Sequence, residues 1–185
     1  IIITIHDLIQ FHFPWTLYTS RAKRYALKQV FKLYAAKSSR IITVSDFSRS
    51  DIVDLLNTPE EKISVVYSSL GELFLKPQPR EQEIEKIKQK LNIPGNYVLY
   101  VGNFKPHKNV DTAVGCFHML RPSFKKNLSL VLVGKDDKYK KEFLNRIKKK
   151  KHPDKLIFID YLKEEDIRTL YCGAKCLICP SFYEG

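Results

Sequence analysis

Short runs of β-branched and other apolar residues recur along the chain, and segments with helical periodicity fill the intervals between them. The runs are nearly continuous in hydrophobicity, which is typical of strands that are buried on both faces. The alternation of strands and helices favours an α/β fold with parallel, helix-covered sheets. Seven strands are predicted, over Ile1–Ile5, Ile41–Val44, Ile63–Tyr67, Tyr97–Val101, Leu128–Val133, Leu156–Ile159 and Cys176–Cys179.

The helical segments carry apolar stripes and recognisable starting residues. Asn109 is the predicted N-cap of a helix that ends before Pro122. Ser48, with Asp51 three residues later, predicts the start of a helix over Arg49–Leu56. The predicted apolar stripes are Val110, Ala113, Val114, Phe117 and Leu120 in one helix, Tyr139, Phe143 and Ile147 in a second, and Ile167, Leu170 and Tyr171 in a third.

The strand–helix rhythm breaks between about Ser68 and Pro94, where a stretch with glycine and proline leads into the charged segment Arg80–Leu91. Three predicted strands precede the break and four follow it. We therefore expect two α/β units, each with a parallel sheet and each part of a larger doubly wound domain. Because Ile1 falls within a predicted strand and is not an initiator Met, we also expect the chain to be a piece of a longer protein.

The composition is that of a soluble globular protein, with 44% hydrophobic and 28% charged residues. No run approaches the roughly 20 apolar residues of a membrane-spanning helix, and the first residues lack the features of a signal peptide. The formal net charge of +12 indicates either an anionic partner or lysine-rich helix faces in water. The anionic partners to be considered are nucleic acid, a phosphorylated substrate and an acidic membrane surface.

Four cysteines, Cys116, Cys172, Cys176 and Cys179, are too few and too clustered for a secreted disulfide framework. The cysteines could form a zinc or redox cluster, or they could be small apolar residues that pack in the interior. No fourth ligand has a familiar spacing, and Cys176 and Cys179 are expected on opposite faces of a strand. We therefore favour packing residues, and free thiols fit a reducing cytoplasm.

Small or polar residues follow the predicted strand ends, where parallel sheets bind ligands. They are His6 with Asp7, Ser45, Gly102, Gly134, Tyr161, and Pro180–Ser181. Gly102 opens a basic loop directly before a helix, and such a loop offers amides, a helix dipole and lysine charge to a phosphate. It is neither a Walker loop nor a dinucleotide fingerprint, and by itself it also fits an ordinary connecting loop.

The strings YVLYVGNFKPHKN, LSLVLVGKDDKY and LICPSFYEG, in this order, resemble the donor-binding C-terminal domain of the family 4 (group 1) retaining glycosyltransferases. Upstream, IIITIHDLIQFHFP, RIITVSDFSRSDIV and EKISVVYSS resemble the second half of the family's acceptor-side domain. The resemblance implies the GT-B architecture, in which two Rossmann-like domains face each other across a cleft. It assigns residues 1–75 to the acceptor-side domain, 76–94 to an interdomain crossing and 95–185 to the first part of the nucleotide-sugar-binding domain.

The family's motifs imply roles for individual residues. Lys108 matches the lysine that binds the donor diphosphate, and Glu184 matches the first of two glutamates, which contacts the sugar. His6 matches the active-site histidine of the acceptor-side domain, and the alternative is a histidine held at a strand end by hydrogen bonds. The other positions carried over to the donor site are Gly102, Asn103, Lys105, Gly134, Lys135, Leu162 and Ser181, with the Leu162 backbone near the nucleobase; none is a metal ligand.

The chain also departs from the family's pattern. Asn103 and His107 stand where many members have arginine, which removes positive charge from the diphosphate site, and Lys105 is placed to compensate. Tyr67-Ser68-Ser69 replaces the usual Tyr-Asn-Gly. The second glutamate would lie beyond Gly185, so we expect the 185 residues alone to be inactive.

The implied activity is metal-independent transfer of a hexose, with retention, from a GDP- or UDP-linked sugar to a glycan or lipid-linked acceptor. The string VGNFKPHKN favours mannose, and polysaccharide or lipopolysaccharide biosynthesis is the expected setting. No cofactor is implied beyond the nucleotide-sugar co-substrate. The alternatives are a basic nucleic-acid-binding domain, although the lysines are scattered without interleaved aromatics, and another Rossmann-type enzyme such as an epimerase, although its glycine motif is absent.

The segment Arg21–Lys37 predicts a basic amphipathic helix with Arg21, Arg24, Lys28 and Lys32 along one side. Such a helix suits an anionic surface. We therefore predict a cytoplasmic protein and add the hypothesis of peripheral association with the inner face of the cell membrane. An ordinary helix packed on the first sheet with its lysines in water fits the pattern equally well.

Overall fold

The computed structural model describes residues 1–13, 20–120, 123, 126–135, 137–149 and 155–185. These residues form two compact units. Unit 1 comprises Ile1–Ser69 with Tyr183–Gly185, and unit 2 comprises Leu70–Phe182. The helix predicted to end before Pro122 runs over Val110–Met119, which confirms the prediction, and Pro122 itself lies outside the described residues.

Unit 1 contains a parallel sheet of three strands in the order β1-β2-β3. Its strands are β1 (Ile2–Thr4), β2 (Arg40–Thr43) and β3 (Ile63–Val65). Its helices are α1 (Ile9–His12), α2 (Arg21–Lys37) and α3 (Asp46–Leu56), with a 3₁₀ turn over Glu60–Lys62. The core of the unit lies between the sheet and these helices, where Leu8, Ile41 and Ile52 are fully buried.

Unit 2 contains a parallel sheet of four strands in the order β6-β5-β4-β7. Its strands are β4 (Asn96–Val101), β5 (Leu128–Val133), β6 (Leu156–Ile159) and β7 (Cys176–Leu177). Its helices are α4 (Glu72–Leu75), α5 (Glu81–Lys90), α6 (Val110–Met119), α7 (Lys138–Lys149) and α8 (Glu164–Gly173), with a 3₁₀ turn over Pro106–Lys108.

The side chains of β5 supply both layers of the unit 2 core, because successive residues of a strand point to opposite faces. Leu130 and Leu132 pack in the cluster that contains residues of α6 and α7. Val131 and Val133 pack in the cluster that contains residues of α5 and α8. The sheet is therefore covered by helices on both faces, as the unbroken apolar runs predicted.

Each of the seven predicted strands is present, and the pairing is parallel throughout the two sheets of the described residues. Burial on both faces is confirmed for β5 but is wrong for the edge strands. Ile2 in β1 is 64% exposed and Leu177 in β7 is 52% exposed. Both strands lie at the end of their sheet, where the described residues provide no neighbouring strand on one side.

Helix α3 begins three residues earlier than predicted. Its N-cap is Ser45, whose hydroxyl oxygen accepts a hydrogen bond of 3.0 Å from the Ser48 amide. Ser48 lies inside the helix, and its hydroxyl donates to the His6 carbonyl at 2.9 Å. Two serines three positions apart can both cap a helix, and the end of β2 at Thr43 decides in favour of the first.

Helix α5 packs against the core of unit 2 and against α8. Ile87 belongs to that core, and the Lys90 ammonium lies 2.6 Å from an Asp166 oxygen on α8. A Cβ on Gly173 of α8 would lie 2.5 Å from the Ile84 methyl carbon Cγ2, so glycine permits the close approach of the two helices. The sequence-based domain limits, with residues 76–94 as a crossing, stay a prediction.

The four cysteines are free and exposed, so the interpretation of them as interior packing residues is wrong. Within the described ranges, no group of three His, Cys, Asp or Glu residues is placed to hold a metal ion. None of the helices that the structure describes combines the length and apolarity needed to cross a membrane.

Candidate functional site

The loops after β4 and β5 begin side by side at the carboxyl edge of the unit 2 sheet. The Gly102 amide donates to the Val133 carbonyl at 2.9 Å, and the Gly134 amide donates to the Ile159 carbonyl at the same distance. Each glycine therefore extends the strand pairing by one residue. Both predicted glycine positions lie at this edge.

Gly134 has no room for a side chain. A Cβ at this position would lie 2.1 Å from the Gly102 carbonyl oxygen and 2.8 Å from an edge carbon of the Phe104 ring. Backbone of the neighbouring loop occupies the space that a side chain would need. The glycine therefore lets the two loops approach closely.

The loop after Gly102 is held by several hydrogen bonds and two buried side chains. The Tyr100 hydroxyl donates to the Asn103 carbonyl at 2.7 Å, and the Asn103 side-chain oxygen accepts from the Lys105 amide at 3.2 Å. Phe104 and His107 are 4% and 6% exposed. Lys105 is half-buried and follows this fixed turn, so the fold presents its charge on a well-anchored loop.

Asn109 joins this loop to the segment after β7. It holds the predicted N-cap position directly before Val110, but its backbone is left-handed, with φ of 52°, and its side chain makes no capping hydrogen bond. Instead, its amide group donates to the Pro180 carbonyl at 3.0 Å and its side-chain oxygen accepts from the Thr112 hydroxyl at 2.8 Å. The Phe182 amide also donates to the His107 carbonyl at 2.8 Å. Ser181 is thereby held beside the basic loop.

Lys140 is a buried cation that the sequence pattern did not single out. Its side chain is 2% exposed, and its ammonium donates to the Gly134 carbonyl at 3.2 Å and to the Asp160 carboxylate. The same nitrogen lies 5.5 Å from the centre of the Phe104 ring. Lys140 therefore supports the loop after β5 from the interior. Helical spacing contains the signal, because Lys140 precedes Phe143 by three positions and Ile147 by seven.

A cavity of 330 Å³ adjoins the basic loop. Lys105 and Asn109 line it from the loop, and Tyr139 and Arg146 line it from α7. Arg146 pairs with Asp111 at 2.8 Å. The cavity thus adds a cation that the sequence did not assign to this edge.

The predicted positions after β5 and β6 differ in exposure. Lys135 is exposed. The Leu162 side chain is 8% exposed and packs in the core, so its backbone alone is available to a ligand. Tyr161, which directly precedes it, is 83% exposed and offers an aromatic face at the same edge. The roles assigned to these residues stay predictions.

Another cavity, of 840 Å³, lies at the opposite edge of the sheet. Asn96, Leu128 and Cys176, the first residues of β4, β5 and β7, line it. Ligands of parallel α/β sheets bind at the carboxyl ends of strands, so we place the functional site at the edge with the smaller cavity.

His6 and Glu184, the two residues assigned to the donor sugar, both belong to unit 1. His6 is exposed, and the part of the chain that the structure describes gives its imidazole no hydrogen-bond partner. The active-site role of His6 and its alternative, a histidine held at a strand end by hydrogen bonds, stay predictions. A Cβ on Gly185 would lie 3.3 Å from the His6 carbonyl oxygen, so the residue after Glu184 packs against the end of β1.

Tyr183 anchors the Glu184 segment in unit 1. The ring is 6% exposed and its hydroxyl donates to the Asp51 carboxylate, which also lies 2.9 Å from the Nε2 atom of His12. Burial, and then the hydrogen bond to Asp51, raise the pKa of the Tyr183 hydroxyl, which therefore stays protonated at neutral pH. No local signal in the sequence links these three residues.

Residues 82–185 of the chain match the family described as "Glycosyl transferases group 1". The preceding residues 1–69 match the family described as "Glycosyltransferase Family 4". The chain belongs to the group 1 glycosyl transferases. This membership replaces the two alternatives of a nucleic-acid-binding domain and an epimerase.

Similar members of the group 1 glycosyl transferases include two bacterial mannosyltransferases. The O-antigen chain mannosyltransferase B of Escherichia coli is 29% identical over 183 residues, which are 98% of this chain and 47% of that protein. The O-antigen chain mannosyltransferase RfbU of Salmonella typhimurium is 28% identical over 184 residues, 99% of this chain and 46% of the relative. The chain thus spans about half the length of the curated relatives it matches.

The crystal structure of Anabaena Alr3699/HepE in complex with UDP and glucose has the same fold over 97% of this chain and 46% of that one. The TM-score is 0.77 at 17% identity. Together with the two parallel sheets, this similarity confirms the GT-B-like fold class with two Rossmann-like units.

Proposed function

We propose that the protein transfers a hexose from a nucleotide sugar to a glycan acceptor with retention of configuration. The observation that carries the proposal is the carboxyl edge of unit 2, where the anchored basic loop places Lys105 and Lys108 directly before helix α6. Such an edge suits a diphosphate. The mannosyltransferase relatives make mannose the first sugar to test.

The departing nucleoside diphosphate gains negative charge as the bond to the sugar breaks. Lysine side chains that are already positioned stabilise this charge without reorganisation, and such stabilisation is usually the largest single contribution to catalysis. Lys108 takes this role in our proposal, with Lys105 beside it. Because these cations neutralise the leaving group, we propose that the reaction requires neither a metal ion nor a cofactor. His6 and Glu184 contact the sugar in this proposal.

A panel of GDP- and UDP-linked sugars tests the proposed activity. The complete gene product is expected to release nucleoside diphosphate from one of them when glycan or lipid-linked acceptors are supplied, with and without a metal chelator. The 185 residues alone are expected to release none, because they correspond to less than half of each relative. The transferase proposal would be refuted if the complete protein turned over none of the donors. Turnover by the 185 residues would refute the expectation that they are inactive alone.

We further propose a cytoplasmic protein that associates with the inner face of the cell membrane through α2. The side-chain exposure on this helix differs from the predicted arrangement, in which the basic side chains are in water. Arg24, Lys28 and Lys32 are half-buried, whereas Val30, Leu33 and Tyr34 are 44%, 52% and 61% exposed. An exposed apolar stripe beside basic residues supports adsorption to an anionic interface.

Vesicle sedimentation tests this association. Binding to vesicles that contain an anionic lipid is expected to exceed binding to neutral vesicles, and to weaken as salt rises. Replacing Val30 and Leu33 by serine is expected to reduce binding at every salt concentration, because it removes the apolar stripe. Replacing the exposed Lys23 by serine is the control on the same helix. Equal binding to both kinds of vesicle would contradict the membrane proposal and leave the transferase proposal intact.

A further inference from the structure

Unit 1 contains a groove of 640 Å³ that the proposed donor site does not use. Three cations of α2 line one wall: Arg21, Arg24 and Lys28. The remaining lining residues are Phe11, His12, Tyr25 and Leu55, from α1, α2 and α3. The groove therefore combines positive charge with an apolar and aromatic wall.

The described residues of the fold supply no partner for the three cations. Among the described residues, none of their side chains forms an ion pair or a hydrogen bond. Arg21 and Arg24 occupy the first turn of α2, which has no acidic residue, and the positive end of a helix disfavours cations. Arg24 and Lys28 are also one helical turn apart, where like charges repel.

Unfavourable charge that converges on a groove indicates an anionic ligand. Arginine binds phosphate through two parallel hydrogen bonds, and two arginines with a lysine match a phosphoryl group better than a single carboxylate. His12 lies at the same groove with its ring oriented by Asp51, which is 2.9 Å away. Tyr25, which is 68% exposed, and Phe11 and Leu55 offer apolar contact to whatever carries the phosphate.

We propose that this groove binds a phosphoryl group of the acceptor. The proposal rests on the transferase function and specifies its acceptor, which then carries a phosphate or diphosphate in addition to the hydroxyl that receives the sugar. The phosphoryl group lies against Arg21, Arg24 and Lys28, and the adjoining part of the acceptor lies against Phe11, Tyr25 and Leu55. All residues that line the groove belong to unit 1, whereas the loop that carries Lys108 belongs to unit 2.

Calorimetry on the complete gene product with defined probes tests the groove. The probes are inorganic pyrophosphate, dihexanoyl phosphatidic acid and the uncharged dihexanoyl glycerol. With the donor site saturated by nucleoside diphosphate, replacing both Arg24 and Lys28 by glutamine is expected to weaken binding of the first two roughly tenfold to a hundredfold, the range for lost charge-assisted hydrogen bonds. Dihexanoyl glycerol is expected not to bind. Tighter binding of phosphatidic acid than of pyrophosphate identifies a lipid-borne phosphate, and the reverse order a free phosphorylated compound.

Two control variants distinguish binding in the groove from binding at the donor site and from a general effect of the protein's net charge. Replacing both Lys23 and Lys37 by glutamine removes the same charge from α2 outside the groove and is expected to leave binding of the probes unchanged. Replacing Lys108 by alanine is expected to weaken binding of nucleoside diphosphate and to spare binding of phosphatidic acid. The groove proposal is overturned if the Arg24/Lys28 variant binds phosphatidic acid like the parent, or if the Lys23/Lys37 variant loses as much affinity. Absence of nucleoside diphosphate binding overturns the donor site instead.

Discussion

Replacing Gly134 by alanine is expected to destabilise unit 2 by about 3 kcal/mol or more. The added Cβ would lie 2.1 Å from the Gly102 carbonyl oxygen, less than any ordinary contact, and both atoms are fixed by the chain. The strand ends must separate, which weakens the two hydrogen bonds of 2.9 Å made by the Gly102 and Gly134 amides. Chemical denaturation of the complete gene product measures the change in the free energy of unfolding.

Gly115 provides the matched control for this substitution. It lies in α6, and a Cβ there meets no heavy atom within 4 Å. Replacing Gly115 by alanine is therefore expected to stabilise the protein by roughly 0.5–1 kcal/mol, because alanine loses less conformational entropy in a helix. Equal stability of the Gly134 and Gly115 variants would contradict the close approach of the loops after β4 and β5.

Replacing Lys108 by alanine is expected to weaken binding of the nucleoside diphosphate by about 1–3 kcal/mol, or roughly fivefold to 150-fold in Kd. The substitution removes a charge from the loop that precedes α6, where the diphosphate is proposed to lie. Isothermal titration of the complete gene product with GDP and with UDP measures the effect and shows which nucleotide is preferred.

Lys86 supplies the control for the loss of charge. It is an exposed residue of α5, away from the carboxyl edge of the sheet, and its replacement by alanine changes the net charge equally. Affinity for the nucleoside diphosphate is expected to stay at the parent value in this variant. Unchanged affinity in the Lys108 variant as well would count against the donor site proposed for unit 2.

Local pattern alone predicted the elements of this fold. Unbroken apolar runs predicted the strands β4 and β5, and the spacing of Phe143 and Ile147 predicted α7. Such features depend on neighbours within one or two turns, and the sequence records them directly. The same locality explains why the positions of Gly102 and Gly134 at strand ends follow from the chain pattern.

Local sequence signals did not predict which residue makes a capping hydrogen bond when contacts elsewhere in the fold decided it. Ser45 and Ser48 are both suitable caps, and the point at which β2 ends selected the first. Asn109 is the N-cap residue of α6, as predicted, but its side chain makes no capping bond and donates to the Pro180 carbonyl, 71 positions away, because β7 lies next to β4 in the sheet. A preference for capping is worth about 1 kcal/mol and is easily overridden by packing.

The strands, helices and strand-end loops can be read from the chain without its fold, together with the family whose motifs they carry. Contacts between side chains that are far apart in the sequence cannot be predicted from the chain alone. Tyr183 reaches Asp51 across 132 positions, Lys140 is buried beneath Gly134, and the cations of α2 line a groove. The physical reason is that periodicity is set by bonds along the chain, whereas these contacts are set by strand order and by how helices cover the sheets.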